Sequence, residues 1–413
     1  ELRSLQVPLD LSVGFAEGSG EVMQLLGESV PRAEFDVGDN GTLVLEARLR
    51  LDAEEELEPG TPALDSYAPL SEPLTPGSAG TLELRDVYWE SRFDAGIARL
   101  GKQQIVWGRL DGLKVLDVLN PQSFREFIVD DFGDSRISLW SAYVDLFAGA
   151  WRVEAALIPD YTAHEIPEPA AWFELTAPRF RFGAGPGEPA LPTVTDRGRT
   201  AAEDGALGLR LSRSVGRVDL SAVAYSGSDH EPLGRLRAAR GGAVVERYHE
   251  RRELFGASAE TSLGAFALRA EAALQPSRTF NTRGDGGLAT ARADQVTAGI
   301  AADVDGPLGL LINLQFLWDE VLDAPGELVR PDRDRVATVF LRRTFAYETL
   351  ELEARWYHAL DDGDDLYRVA LAYDLGDNSS LYLSGDWFAG TASGLFGQFA
   401  ARDRVVLGFR HTF

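Results

Sequence analysis

Apolar and polar residues alternate one by one through most of this chain. In Thr42 to Asp52, Leu43, Leu45, Ala47, Leu49 and Leu51 fall on one face. Thr42, Glu46, Arg48, Arg50 and Asp52 fall on the other, where Val44 is the one apolar residue. Side chains of a β-strand point alternately to its two sides, so this stretch is a strand with one apolar and one polar face. The pattern returns at Trp151 to Pro159, Val218 to Ser226, Phe266 to Gln275, Val296 to Val304, Leu310 to Asp319, Thr349 to His358 and Tyr367 to Leu375.

A soluble sandwich turns such apolar faces inward, and a membrane barrel turns them out to lipid around a polar lumen. Connection lengths favour the barrel. Short links at 93–96, 147–150, 263–265 and 376–379 alternate with long ones at 54–80, 108–135, 160–203, 228–250 and 276–291. Aromatic residues gather near strand ends, among them Trp89, Phe93, Phe147, Trp151, Trp318, Phe345 and Trp356, as in an interfacial girdle. The last strand alternates Val405, Leu407 and Phe409 with Val406, Gly408 and Arg410. Its Gly408 and terminal Phe413 resemble the signal read by the barrel assembly machinery, with His411 where an aromatic or apolar residue is usual. The expected fold is all-β: a closed antiparallel transmembrane β-barrel formed by 1–413 as one domain. Placing the strands gives about 18, with about 16 as the alternative, because Pro8 and Pro31 interrupt the first two.

Composition narrows the partners. A formal charge of −25 argues against nucleic acid. The acidic excess lies mostly in connections such as 52–58 and 361–365. With 0 Cys, disulfides and thiolate metal sites are excluded. The chain starts at Glu1 and its one Met is Met23, so it reads as a mature form with its signal peptide removed.

One stretch breaks the alternation. Residues 108–135 carry Leu110, Leu113, Val115, Leu116, Val118, Leu119, Phe124, Phe127, Ile128, Val129 and Phe132. A loop facing water should be polar, so these residues must be buried, against the lumen wall or under other loops. The expected gate comprises Trp107, Leu110, Leu113, Val115, Leu116, Leu119, Phe124 and Phe127, and packing that only stabilises the barrel is the other reading. Asn120-Pro121 predicts a turn, and Ser123 could cap a short helix from Phe124 to Val129. On the polar strand faces lies a ladder of arginines: Arg48, Arg50, Arg99, Arg152, Arg210, Arg269, Arg355, Arg368 and Arg410. It would either pair with carboxylates across the wall or guide an anionic solute.

Catalytic signatures are weak. No HxxxH or HExxH pair, P-loop or GxSxG elbow occurs, and no cofactor is expected. His358 beside Asp361, Asp362 and Asp364 could imitate a rim enzyme, and the same aspartates are a weak Ca²⁺ candidate in what reads as an acidic hairpin loop.

Gly101-Lys102-Gln103 and Trp107-Gly108, followed by Asn120-Pro121 and by Asp134-Ser135-Arg136-Ile137 with Trp140, resemble an uncharacterised porin-like family of Gram-negative outer-membrane proteins. The resemblance implies movement of lipids or other hydrophobic compounds, often beside inner-membrane RND-type transporters. The expected function is therefore an outer-membrane channel, among outer-membrane lipids, for a hydrophobic or amphipathic and possibly anionic solute. A general or anion-preferring porin is the alternative, with a rim hydrolase or a structural barrel behind it.

Overall fold

The structure is a computed structural model that describes all residues except 57–63, 130–132, 183–190, 197, 241, 285–286 and 325. Strands form wherever the alternation ran. In order they are β1 (Leu2–Gln6 and Pro8–Ala16), β2 (Val22–Ser29 and Arg32–Val37), β3 (Gly41–Asp52), β4 (Gly80–Phe93), β5 (Gly96–Gln103) and β6 (Leu139–Ala148). Then come β7 (Trp151–Ile158), β8 (Ala206–Val215), β9 (Val218–Ser228), β10 (Arg251–Leu263), β11 (Phe266–Gly284) and β12 (Gly287–Asp305). The last six are β13 (Leu311–Leu322), β14 (Arg333–Phe345), β15 (Leu350–Ala359), β16 (Asp364–Gly376), β17 (Ser379–Ala389) and β18 (Arg404–Thr412). Each pairs antiparallel with its neighbour in sequence, and β1 pairs with β18 from Pro8 opposite Thr412 to Ala16 opposite Arg404. The sheet is thus a closed barrel of eighteen strands, with no free edge.

The two prolines explain the broken first strands. Neither has an N–H for the ladder, so each sits where pairing is interrupted, Pro31 between the halves of β2 and Pro8 at the start of the second half of β1. Both halves still pair, Leu2–Gln6 with Arg32–Val37 and Pro8–Ala16 with Val22–Ser29.

Apolar faces point outward. Leu207 is 60% and Ile300 59% exposed, whereas their chain neighbours Gly208 and Gly299 face the interior. Clusters of buried apolar side chains lie inside the barrel, where long connections meet the inner wall.

Two of the expected loops are more ordered than their sequence suggested. The stretch 276–291 is not a loop: β11 and β12 run on as one hairpin to Gly284 and Gly287. Pro276 ended the legible pattern, but the ladder absorbs it in an irregularity between Gln275 and Arg278, where the Ser277 N–H donates instead to Asp294 (2.8 Å). The connection 228–250 holds a hairpin, Leu233–Ala239 with Gly242–Tyr248, and Thr193–Thr195 adds a third, parallel strand. This small sheet lies on the long-loop side of the barrel, against the outer end of β12.

Candidate functional site

The connection between β5 and β6 enters the barrel. Its first half lies on the inner wall of β6 to β13. Ile105, Trp107, Leu110, Val115, Leu116 and Leu119 are buried there against Leu139, Tyr143, Ala156, Val223, Leu254, Ala273 and Ala301, with Leu113 partly buried beside them. The wall makes room with glycines at inward-facing positions. A Cβ at Gly208 would come 2.6 Å from the Trp107 ring, one at Gly256 2.3 Å from Leu116, and one at Gly299 2.4 Å from Leu110. Backbone groups of the connection are satisfied by the wall. Glu271 accepts from the N–H groups of Arg109 (2.5 Å) and Leu116 (3.2 Å), and Gln315 exchanges two bonds with Asp111 (3.0 and 2.6 Å).

The second half lies on another part of the wall. Phe127 and Val129 are buried with Tyr357 of β15, Leu366 of β16, Phe388 of β17, and Phe173, Phe396 and Phe399 from two other connections. The Phe127 ring lies 4.7 Å from Phe399 and 6.1 Å from Phe396. In a ring of eighteen strands β9 stands opposite β18, so the two halves rest on opposite walls and the connection crosses the lumen. Its two ends are tied by Asn120, which accepts from the Ile105 N–H (2.8 Å) and donates to the Ile137 carbonyl (2.8 Å).

The helix expected over Phe124–Val129 is absent. Two successive turns stand there instead, with Phe127 N–H bonded to Phe124 O (2.8 Å) and Val129 N–H to Glu126 O (3.0 Å). Phe127 has a φ of 52°, which breaks any helix, and the Ser123 hydroxyl donates to Glu165 (2.6 Å). Phe132 lies outside the described residues.

Charges fasten this half. Glu126 bonds to Arg50 of β3 and lies 3.4 Å from Arg404 of β18. Burial pushes its carboxyl up, but Arg50, Arg404, Arg48 and Arg125 outweigh that and bring it down to about 2. Arg368 donates to the carbonyls of Ile128 (3.3 Å) and Val129 (2.6 Å), and Arg85 to those of Gly133 (3.1 Å) and Asp134 (2.7 Å).

Each arginine of the ladder has a carboxylate within ion-pair distance. Arg48 pairs with Glu28 (2.8 Å), Arg99 with Glu90 (2.8 Å), Arg152 with Asp145 (2.8 Å) and Arg210 with Glu154 (3.6 Å). Arg269 pairs with Asp303 (2.6 Å), Arg355 with Glu353 (3.4 Å), Arg368 with Asp386 (2.7 Å) and Arg410 with Asp10 (2.8 Å). Arg50 completes the set through Glu126. Most of these pairs join neighbouring strands of the wall, whereas Arg355 and Glu353 lie on the same strand. Arg48, Arg50, Arg269 and Arg368 also grip the crossing connection.

On the long-loop side of the crossing lies a cavity of about 530 Å³. Leu113, Val115, Val118, Phe124, Phe127 and Ile128 contribute to its lining, together with Phe180, Leu233 and Phe280. His164 and His230 line it too, with ring centroids 5.5 Å apart. Burial drives His164 down to about 3, so it is neutral, and its Nδ1 accepts from the Gln122 N–H (2.9 Å). Burial also lowers Lys114 to about 8, against the pull of Asp117.

The aspartates of 361–364 do not converge on a metal. Asp361 is held by Arg333 and Arg335, and Asp362 accepts from Arg179 (2.7 Å) and the Leu395 N–H (3.0 Å). Asp364, fully buried, accepts from the N–H groups of Thr391, Phe396 and Gly397. Among the described residues no group of three or more His, Asp or Glu could hold a metal ion. His358 lies on the outer face with Trp356, opposite in direction to the buried Tyr357, and its Nδ1 is 2.9 Å from Asp365.

Phe413 is exposed beside His411, with ring centroids 4.3 Å apart, and His411 stacks on Phe409. His411 thus takes an aromatic place in the outer row.

The family described as "Protein of unknown function (DUF1302)" matches residues 78–413. This chain belongs to the DUF1302 family. No curated protein matches it in sequence. Among solved structures, OccAB1 of Acinetobacter baumannii superposes with a TM-score of 0.55 over 99% of this chain and 95% of its own, at 8% identity. OccK2 (OpdF) of Pseudomonas aeruginosa, solved in complex with glucuronate, gives 0.53 over 99% and 97%, at 10% identity. OccK5 (OpdH) of the same species gives 0.52 over 99% and 97%, at 9% identity. The DUF1302 barrel therefore has a porin-like outer-membrane channel fold. The wall glycines, Asn120, Glu126 and the Phe396–Phe399 pair did not stand out in sequence. A glycine on the polar face of a strand was the signal available for the first of these.

Proposed function

We propose that this DUF1302 protein lies in the bacterial outer membrane and passes a hydrophobic or amphipathic solute by diffusion, with the connection after β5 as its gate. The observation that carries this is the apolar crossing itself. An ion channel has no use for Trp107, Leu116 and Phe127 in its lumen, whereas an apolar solute can exchange places with them at little cost in solvation. The cavity on the outer side, part apolar and part charged, offers the solute a resting place before the gate.

The seat of the gate is good but incomplete. The buried Trp107 Nε1 has no hydrogen-bond partner among the described residues, a deficit of about 1–3 kcal/mol that eases displacement. The terminal strand with Phe413 suits delivery by the barrel assembly machinery, and an RND-type transporter on the inner membrane is the partner that the family likeness suggests. The reading involves no catalysis and no cofactor.

Planar bilayers and liposome uptake test it together. Replacing Leu113 to Phe127 with a Gly/Ser linker of equal length should leave the barrel folded and raise uptake of a hydrophobic dye severalfold. Unchanged uptake would reduce the segment to packing. A large, steady ionic current through the unaltered protein would favour a general porin instead.

A further inference from the structure

The cavity outside the gate has an uneven charge balance. Every carboxylate on its lining has a cationic partner. Asp117 lies 2.8 Å from Arg136, Asp229 2.6 Å and Glu231 2.7 Å from Arg278, Asp319 is bonded to Arg330, and Asp334 lies 3.1 Å from Arg330. Of the arginines on the lining, Arg247 alone has no carboxylate within 4.0 Å among the described residues. Glu168 and Asp65 act on it only from farther away. Its Nε is buried without a hydrogen-bond partner. The residue as a whole is half-buried, and a buried guanidinium N–H without an acceptor is costly unless an anion joins it.

Arg247 is carried on the Gly242–Tyr248 strand of the small sheet, opposite Gly234. The missing side chain at Gly234 leaves space that the Phe182 ring fills, so an aromatic ring packs at the ladder position opposite Arg247. His230 is a second polar group of the lining. It is 5% exposed, and neither of its ring nitrogens has a hydrogen-bond partner among the described residues. Burial keeps it neutral, so it has one N–H to donate. Phe124, Ile128 and Phe180 give the lining an apolar part.

We propose that this cavity is a binding site for an amphipathic monoanion, a carboxylate or sulfonate on a compact apolar body. The anionic group pairs with Arg247, and the body rests on Phe124, Ile128 and Phe180. The proposal rests on the channel reading above and names the class of solute that gathers before the gate. A volume of about 530 Å³ suits a small hydrophobic acid and is too small for a whole membrane lipid. The chain as a whole carries −25, which would repel an anion, so a local cation is needed to admit one.

Calorimetry on the whole protein in nanodiscs, with empty nanodiscs subtracted, tests this with 2-naphthoate and its neutral counterpart 2-naphthamide. Folding is checked by the heat-dependent gel shift of the barrel. The naphthoate should bind about tenfold tighter than the amide. Arg247→Gln should erase that difference and leave amide binding as it was, and Arg247→Lys should keep most of it. Equal affinities in the unaltered protein, or an unaltered preference in Arg247→Gln, overturn the site. Liposome uptake separates the two readings. If naphthoate binds through Arg247 but never crosses, even with the linker in place of the gate, the site stands and the channel falls. If both probes cross and Arg247→Gln changes neither uptake nor binding, the channel stands and the site falls.

Discussion

The Trp107 indole occupies the space that a side chain at Gly208 would need: a Cβ there would meet the ring at 2.6 Å. The crossing connection and the wall are therefore fitted to each other, with Leu116 over Gly256 and Leu110 over Gly299 repeating the relation. Gly208→Val should evict the indole without harming the barrel, because valine is a good strand residue on a lumen-facing position. We expect the heat-dependent gel shift to persist and single-channel conductance to rise severalfold. Trp107→Ala should open the channel as well, since a buried Trp truncated to Ala forfeits about 3–5 kcal/mol of packing. Normal closure in both variants would sink the fit as the reason the gate stays seated.

The other half of the crossing connection is held by charge, and with the proposed gate this predicts a pH dependence. Glu126 is brought down to about 2 by Arg50, Arg404, Arg48 and Arg125, against the upward push of burial. A glutamate released into water titrates at about 4.3. The seated carboxyl thus binds a proton less readily than the released one, so the latch is at full strength above about pH 5 and weakens as pH falls towards about 2. Conductance recorded in planar bilayers should stay flat from neutral pH to about 5 and climb below about 4. Glu126→Gln should raise it at neutral pH and flatten the profile. A flat profile in the unaltered protein down to about pH 3 would mean that Glu126 is not the latch.

Strand placement was legible because a barrel wall repeats one rule, apolar out and polar in, and the rule needs only local sequence. All eighteen strands overlap the stretches where they were placed, including the two that proline breaks, but β11 and β12 run on past theirs into 276–291. That 108–135 must be buried followed from its apolar content, but whether the lumen wall or other loops would cover it did not. What could not be read is which wall each apolar residue meets, since that depends on pairs far apart in sequence such as Leu116 with Gly256. The ladder's arginines were visible, yet their roles differ by partner. Arg368 grips the crossing connection, whereas Arg99 pairs with Glu90 and lies over the Tyr88 and Tyr143 rings. Phe396 and Phe399 were hidden in a stretch with no periodicity, and they became meaningful only once Phe127 arrived beside them.

That cover over Phe127 depends on Asp364. Its carboxylate accepts three backbone N–H groups of the 390–397 stretch (3.3, 3.1 and 2.9 Å) and fills the space above Gly390 and Gly394. Asp364→Ala leaves those donors buried and unpaired, at a cost of about 2–4 kcal/mol. We expect a lower unfolding temperature in detergent and faster proteolysis within 390–403. Millimolar Ca²⁺ should change neither, because the neighbouring Asp361 and Asp362 are already engaged by arginines. A calcium-dependent rise in melting temperature would reinstate the metal site.

Gly408 on β18 gives the last test, because it has two explanations. It stands where the expected assembly signal has a glycine, and it also lies under the ring of Tyr382, its direct partner on β17. A Cβ at Gly408 would come 2.2 Å from that ring, whose hydroxyl donates to Asp10 (2.8 Å) and whose face carries the Arg410 guanidinium at 4.4 Å. Gly408→Ala should therefore displace Tyr382 and loosen the seam where β18 closes on β1, lowering the yield of folded barrel in refolding from urea into detergent. Pairing it with Tyr382→Ala removes the clash. If Gly408 is there for packing, the double variant refolds better than Gly408→Ala alone. If it is there only to be recognised, the purified single variant refolds normally in vitro and fails in cells, and Tyr382→Ala brings no rescue.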